Sequence, residues 1–203
     1  MEQREAPIFQ EIYENYLADV SALSLPDRAD PLGIEVKGGA ATIPFYHRTY
    51  TVTPAAVADE KGRKPSHAVC VVLCKYLLLC PENPTPDGSV VTYKDFRDAG
   101  PYVGGFHNTA QRPIAEAFSG RLDELERRGK ALGGSRWETD VNCDLAMAFP
   151  ALPKVPIFLI FNDADEEFDA ECSLFFRRDA AQYLDMECVA MVGMTLAEWL
   201  RGD

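Results

Sequence analysis

The chain is poor in basic residues and in histidine. It has 20 Lys and Arg against 32 Asp and Glu, which gives a formal net charge of −12. Because nucleic acids and anionic membranes are bound through clustered Lys and Arg, this balance argues against both as partners. The three histidines, His47, His67 and His107, form no His-x-His or His-x-x-x-His pair. The sequence therefore contains no local histidine motif for a metal.

Long apolar runs and export signals are also missing. The longest apolar run lies near Cys70–Cys80, is interrupted by Lys75 and is too short to span a bilayer. The first seven residues contain no basic region followed by an apolar core, so we expect no signal peptide and a cytoplasmic location. The six cysteines are spread thinly along the chain, and we interpret them as reduced, mostly buried thiols.

What the chain does contain is enough apolar sequence for one domain. Hydrophobic residues make up 47% of its 203 residues. We predict a single domain over residues 1–203, with an N-terminal helix over 7–23 and an α+β body over 34–203. The strand-like segments come in clusters and do not alternate regularly with helices. This order favours an antiparallel or mixed sheet packed against several helices over a doubly wound sheet.

Local patterns predict most elements of this body. The pair Gly38-Gly39 predicts a hairpin turn between strands over 34–36 and 41–46. Hydrophobic periodicity predicts further helices over 66–80, 121–132 and 186–200, and further strands over 90–93, 143–149 and 155–161. The last two strands are expected to form an antiparallel hairpin, and the second of them is apolar throughout, as in a central strand.

The best candidate for a ligand site is a glycine-rich loop over residues 100–112. A helix is predicted to begin near residues 108–112, with Pro113 in its first turn. Backbone N–H groups and cationic side chains at such a helix end favour anions. The candidate ligand-binding residues are Arg97, Gly104, Gly105, His107 and Arg112. The loop lacks the Lys-Ser/Thr ending of a P-loop and the dinucleotide glycine pattern, so an ordinary glycine turn is the alternative.

An acidic segment over residues 162–171 follows the most apolar strand. Carboxylates suit hard cations such as Ca²⁺ or Mg²⁺, and they also serve as acids and bases. The candidate metal ligands are Asp163, Asp165, Glu166 and Glu167. The segment lacks the central glycine and the final glutamate position of an EF-hand, so a solvated turn is the alternative.

Cysteine and serine motifs provide little chemistry. Cys70 and Cys74 lie one helical turn apart and suggest a metal or iron–sulfur site completed by Cys143 or Cys172. The two-residue gaps typical of such sites are missing, which favours buried structural cysteines. There is no Gly-x-Ser-x-Gly elbow, and no catalytic triad can be assembled. The catalytic residues and the cofactor therefore stay unassigned.

Several short segments resemble a known family by their order along the chain. They are Tyr76-Leu77-Leu78, Tyr93-Lys94-Asp95-Phe96-Arg97, Ala131-Leu132-Gly133-Gly134, Asn162-Asp163-Ala164-Asp165-Glu166-Glu167-Phe168, Leu174-Phe175-Phe176 and Tyr183-Leu184-Asp185-Met186-Glu187. Together they resemble the bacterial and archaeal family of domains of unknown function DUF3786, from about Leu17 to Leu200.

The resemblance implies little chemistry and no catalytic residue. Members of the family look typical of anaerobes, and some carry an extra cysteine domain of the kind found beside corrinoid one-carbon enzymes. No such domain is expected in this chain. We therefore expect a non-catalytic module that binds an unknown small molecule or protein, with a link to anaerobic corrinoid or one-carbon metabolism. The alternatives are an enzyme that uses the acidic turn 163–171, with or without a divalent metal, and a module that binds a cluster or a cobamide.

Overall fold

The computed structural model describes residues 7–202 and has the α+β fold that the sequence predicts. The helices are α1 (Pro7–Ser21), α2 (Ala29–Leu32), α3 (His67–Leu78), α4 (Val103–Phe106), α5 (Arg112–Phe118), α6 (Leu122–Ala131) and α7 (Met186–Arg201). The strands are β1 (Glu35–Lys37), β2 (Ala40–Phe45), β3 (Arg48–Val52), β4 (Val57–Asp59), β5 (Val90–Thr92), β6 (Ser135–Arg136), β7 (Leu145–Leu152), β8 (Val155–Asn162) and β9 (Glu171–Arg177).

None of the helices described over residues 7–202 combines the length and the apolar character that crossing a bilayer requires. The expectation of no signal peptide rests largely on residues 1–6, which lie outside the described residues.

The smaller sheet is an antiparallel meander in the order β1-β2-β3-β4. Its first turn is the predicted one, because Gly38 and Gly39 adopt the positive φ angles of 59° and 79° that a tight hairpin needs. Pro44 lies in β2 opposite Thr49 of β3, beyond the last residue that β1 pairs with. The missing N–H of Pro44 therefore leaves no ladder hydrogen bond unmade.

The larger sheet is antiparallel throughout, in the order β5-β9-β8-β7-β6. The predicted hairpin of β7 and β8 is confirmed, with Met147 opposite Leu159. β9 pairs with the other side of β8 over all but its last residue, from Glu171 opposite Asn162 to Phe176 opposite Ile157. The acidic segment is thus the connection between two neighbouring strands.

Helices α3 and α7 occupy the centre of the core. Eight of the twelve residues of α3 are buried, as the sequence predicts, and Ser66 caps the helix by accepting a hydrogen bond from the N–H of Val69. The buried hydroxyl of Tyr46 donates to the carbonyl of Val192 in α7 at 2.7 Å. The N–H of Tyr46 donates to the carbonyl of Ala151 in β7 at 2.8 Å. The end of β2 is thereby tied both to α7 and to the larger sheet.

Candidate functional site

The glycine-rich segment forms a helix, and the predicted helix start near residues 108–112 is wrong. A 3₁₀ turn over Gly100–Tyr102 leads into α4 at Val103, so His107 and Arg112 lie inside a helical stretch and not at its N-terminus. Each glycine there costs about 1 kcal/mol in helix propensity. Tertiary packing overrides this cost, because the buried ring of Phe106 stacks on Tyr93 with ring centroids 4.4 Å apart.

A π-helical turn over His107–Gln111 connects α4 to α5. The N–H of Arg112 donates to the carbonyl of His107, five residues back, where an α-helix would use a residue four back. Pro113 follows directly, has no N–H, and its ring opposes an α-helical carbonyl four residues earlier. We attribute the wider turn to Pro113. Such turns are frequent at functional sites, and this one presents His107 and Arg112 at the surface.

The helical stretch and the acidic segment enclose a groove of about 890 Å³. One wall is the face of the helix formed by His107, Gln111, Arg112, Ala115, Glu116 and Ser119. The opposite wall is the continuous segment Glu167–Ser173, which ends in β9. We call this space the α5–β9 groove. It joins the two segments in which the sequence places its candidate site residues.

The structure distributes those candidate residues unequally. His107 and Arg112 from the proposed ligand site and Glu167 from the proposed metal site line the groove. The other candidates lie outside its wall: Arg97, Gly104, Gly105, Asp163, Asp165 and Glu166. Gly104 and Gly105 are exposed residues of the first turn of α4, outside the groove, so they do not contribute to a site there.

The charges of the groove favour a cation over an anion. Nε of Arg112 lies 2.7 Å from Oε1 of Glu116, so the guanidinium already has a carboxylate partner. On the opposite wall, Glu167, Asp169 and Glu171 are exposed and pair with no basic side chain of residues 7–202. The groove thus has more carboxylates than cationic groups, whereas the loop pattern suggests an anion site.

The two aspartates outside the wall hold the acidic segment in shape. Oδ1 of Asp165 accepts hydrogen bonds from the N–H groups of Glu167 and Phe168, both at 2.8 Å, and these bonds hold the pKa of Asp165 below its usual value. Oδ1 of Asp163 accepts from the N–H of Gly120 at 2.7 Å, just after α5. This bond ties the acidic segment to the end of the helix, beside the groove. Phe168, at the tip, is 70% exposed.

Within residues 7–202, no group of three or more His, Cys, Asp or Glu residues is placed to hold a metal ion. Of the cysteines considered for a cluster, Cys70 and Cys74 are buried in α3, Cys172 is buried in β9 in the wall of the groove, and Cys143 lies outside that wall. Burial raises the pKa of Cys74 to about 12 and that of Cys172 well above its usual value. Both thiols are therefore protonated at neutral pH.

Sequence reasoning missed β9 and with it half of the groove. The alternation of apolar Cys172 and Leu174 with polar Glu171 and Ser173 is the sequence signal that would have found it. After β9, the carboxylate of buried Asp179 pairs with Arg177.

The chain matches a known family over most of its length. The family model described as Domain of unknown function (DUF3786) covers residues 24–199, so the chain belongs to this family. The order of the short matching segments along the sequence indicates the same family. The comparisons with curated proteins and with solved structures found no match.

Proposed function

We propose that this family member is a non-catalytic binding module and that the α5–β9 groove is its binding site. The observation that carries the proposal is the convergence of the helix wall with His107 and Arg112 and the acidic wall with Glu167. A groove with several polar groups directed toward one space is the usual form of a ligand site. The hydrogen bond from Gly120 to Asp163 holds the two walls together before any ligand arrives.

The excess of carboxylates supports a ligand or partner segment with positive charge. An acidic chain with this groove is a poor match for nucleic acid or an anionic membrane, and we place its function in the cytoplasm. The link to anaerobic corrinoid or one-carbon metabolism rests on the family resemblance alone.

Titration of ¹⁵N-labelled protein with spermine and, separately, with citrate tests the charge and the place of binding. We expect spermine, and not citrate, to shift the amide resonances of residues 107–119 and 167–173. The variant Glu167→Gln/Asp169→Asn/Glu171→Gln removes the unpaired carboxylates and should abolish these shifts. Glu35→Gln, an exposed carboxylate of β1 in the other sheet, is the matched control and should leave them unchanged. Spermine shifts that lie elsewhere, or that survive in the triple variant, would contradict the proposal.

Thermal unfolding with Mg²⁺, Ca²⁺, Mn²⁺ or EDTA separates binding from metal-dependent catalysis at residues 163–171. A ligand that binds only the folded state must raise the unfolding temperature. We expect no rise with these cations. A rise that EDTA reverses and that Glu167→Gln removes would favour the alternative of a metal-dependent enzyme.

A further inference from the structure

A second pocket, of about 290 Å³, lies between the smaller sheet, the start of α3 and the end of α7. It shares no lining residue with the α5–β9 groove. Its polar lining consists of Arg48, Tyr50, Asp59, Arg63, Lys64 and Ser66. Basic side chains thus outnumber acidic ones in this lining, whereas the whole chain has 20 basic against 32 acidic residues. The pocket reverses the sign of the chain's charge.

The carboxylate among these lining residues, Asp59, already has its hydrogen bonds. Its Oδ1 accepts from the N–H groups of Lys61 at 2.9 Å and Arg63 at 2.8 Å. Its Oδ2 accepts from Nε of Arg63 at 3.0 Å and from Nη2 at 2.8 Å. These bonds, led by that of the Arg63 backbone, lower the pKa of Asp59 to about 2. Nη1 of Arg63 has no hydrogen-bond partner within residues 7–202 and is available to a ligand.

Arg48 has no carboxylate partner within the described part of the chain. Its guanidinium carbon lies 4.3 Å from the centroid of the Trp199 ring, and its Nε donates to Nε2 of His47 at 3.4 Å. The stacking on Trp199 restricts where the guanidinium can lie. The planar fork of such a group matches the oxygens of an anion, so Arg48 is a cation held in the pocket without its counterion.

The hydroxyl of Tyr50 lacks an acceptor. Tyr50 is only 2% exposed, yet its O–H donates to no other residue of the described chain. Arg48 lies two positions away in β3, so the two side chains share one face of the strand, but a guanidinium can only donate. Burial raises the pKa of Tyr50 more than Arg48 lowers it, so the phenol keeps its proton at neutral pH. A buried tyrosine O–H usually has a partner, and an anion in the pocket would provide one.

We propose that this pocket binds a phosphate group, either as inorganic phosphate or as the phosphate of a small monoester. Its oxygens accept from the Tyr50 hydroxyl, from the guanidinium of Arg48 and from Nη1 of Arg63. Ser66 adds a further donor, because its Oγ accepts from the N–H of Val69 and keeps its own proton free. Donors from β3, from the loop after β4 and from the start of α3 suit a group with several oxygens, and the excess of cations suits a dianion.

This site is additional to the α5–β9 groove, and the two attract ligands of opposite charge. The groove has exposed carboxylates without basic partners, whereas the pocket has a cation and a buried O–H without acceptors. The pocket volume is near the lower limit for small-molecule sites, which fits a phosphate with at most a small organic group.

Titration of ¹⁵N-labelled protein with sodium phosphate and, separately, with glycerol 3-phosphate tests the proposal. Sodium chloride keeps the ionic strength constant. We expect saturable shifts of the amide resonances of residues 48–50 and 62–67. Binding of glycerol 3-phosphate that is tighter by about tenfold or more identifies a phosphate monoester as the ligand, and any smaller preference identifies free phosphate.

Variants assign the binding to the named groups. Arg48→Gln should weaken it by about tenfold or more, and Tyr50→Phe, which keeps the ring and removes only the hydroxyl, by about threefold or more. Arg97→Gln removes an exposed cation outside the pocket and should leave the affinity unchanged. Circular dichroism verifies that each variant is folded, and Tyr50→Phe decides the result if Arg48→Gln does not fold.

Three outcomes overturn the proposal. The first is the lack of saturable shifts at these residues with either anion. The second is unchanged affinity in the folded variants Arg48→Gln and Tyr50→Phe. The third is equal weakening by Arg97→Gln, which would show a response to net charge alone. Spermine shifts in the α5–β9 groove report on the other site, so a failure here leaves the proposed function standing.

Discussion

Replacing Gly193 by alanine in α7 is expected to destabilise the protein, although alanine is the better helix residue. A Cβ at this position would lie 2.5 Å from Cε2 and 3.0 Å from Cζ of Phe106, and 3.4 Å from Cδ1 of Leu174. Phe106 is only 3% exposed and stacks on Tyr93, so its ring has little room to retreat. The helix-propensity gain of about 1 kcal/mol is opposed by an overpacking cost of about 1–3 kcal/mol.

Gly104 provides a matched control for this exchange. It lies in α4, and a Cβ there would meet nothing within 4 Å. Gly104→Ala should therefore stabilise the protein by about 1 kcal/mol, and the two variants should differ by about 1–3 kcal/mol in free energy of unfolding. Urea denaturation followed by far-ultraviolet circular dichroism measures both values.

A double-mutant cycle assigns the cost to the ring. In a Phe106→Leu background the shorter side chain makes room for the new methyl group, so Gly193→Ala should cost at least about 1 kcal/mol less than in the native background. Equal stabilisation by Gly193→Ala and Gly104→Ala would refute the packing argument, and so would strict additivity with Phe106→Leu. The contact matters to the site because Phe106 directly precedes the π-helical turn of the groove wall.

Two further predictions concern the carboxylates that hold helix ends. Asp185 caps the N-terminus of α7, because its Oδ1 accepts a hydrogen bond from the N–H of Cys188 at 2.9 Å, and its carboxylate also pairs with Lys75 at 3.1 Å. Asp185→Ala removes both interactions and should lower the free energy of unfolding, measured by urea denaturation, by about 1 kcal/mol or more. Burial alone would raise the pKa of Asp185, but these partners lower it. The difference in free energy of unfolding between Asp185→Ala and the native protein should therefore be full above about pH 4 and disappear as the pH falls through the lowered pKa. A difference that does not depend on pH would contradict this cause. Asp163→Ala removes the acceptor of the Gly120 N–H, so hydrogen exchange at the Gly120 amide should become faster. The free energy of unfolding should fall by about 1 kcal/mol or less. Unchanged exchange would show that this bond does not hold the acidic segment to the helix.

The elements that the sequence predicts correctly are those encoded by neighbouring residues. The hairpin at Gly38-Gly39 depends on a backbone conformation that glycine adopts at little cost. The helix α3 and the strand β7 follow from apolar patterns that repeat with the period of each element, and β8 follows from a continuous apolar run. The family resemblance is confirmed for the same reason, since its segments are read directly from the chain.

The errors occur where distant contacts outweigh local preference. Glycines at 104 and 105 are typical of a loop, yet the packing of Phe106 against Tyr93 and α7 holds them in a helix. β9 begins at Glu171, the last residue of the acidic segment, so its start is predicted as part of a solvated turn. Its pairing with β8 is what makes it a strand.

The sequence by itself determined the acidic charge, the α+β class, most helices and strands, and the two segments worth considering as a site. Tertiary structure alone decided that these segments face each other across one groove. The residues concerned are separated by about fifty positions, and a side-chain pattern carries no information on which distant segments meet. The meeting depends on contacts between distant residues, such as the hydrogen bond from Gly120 to Asp163.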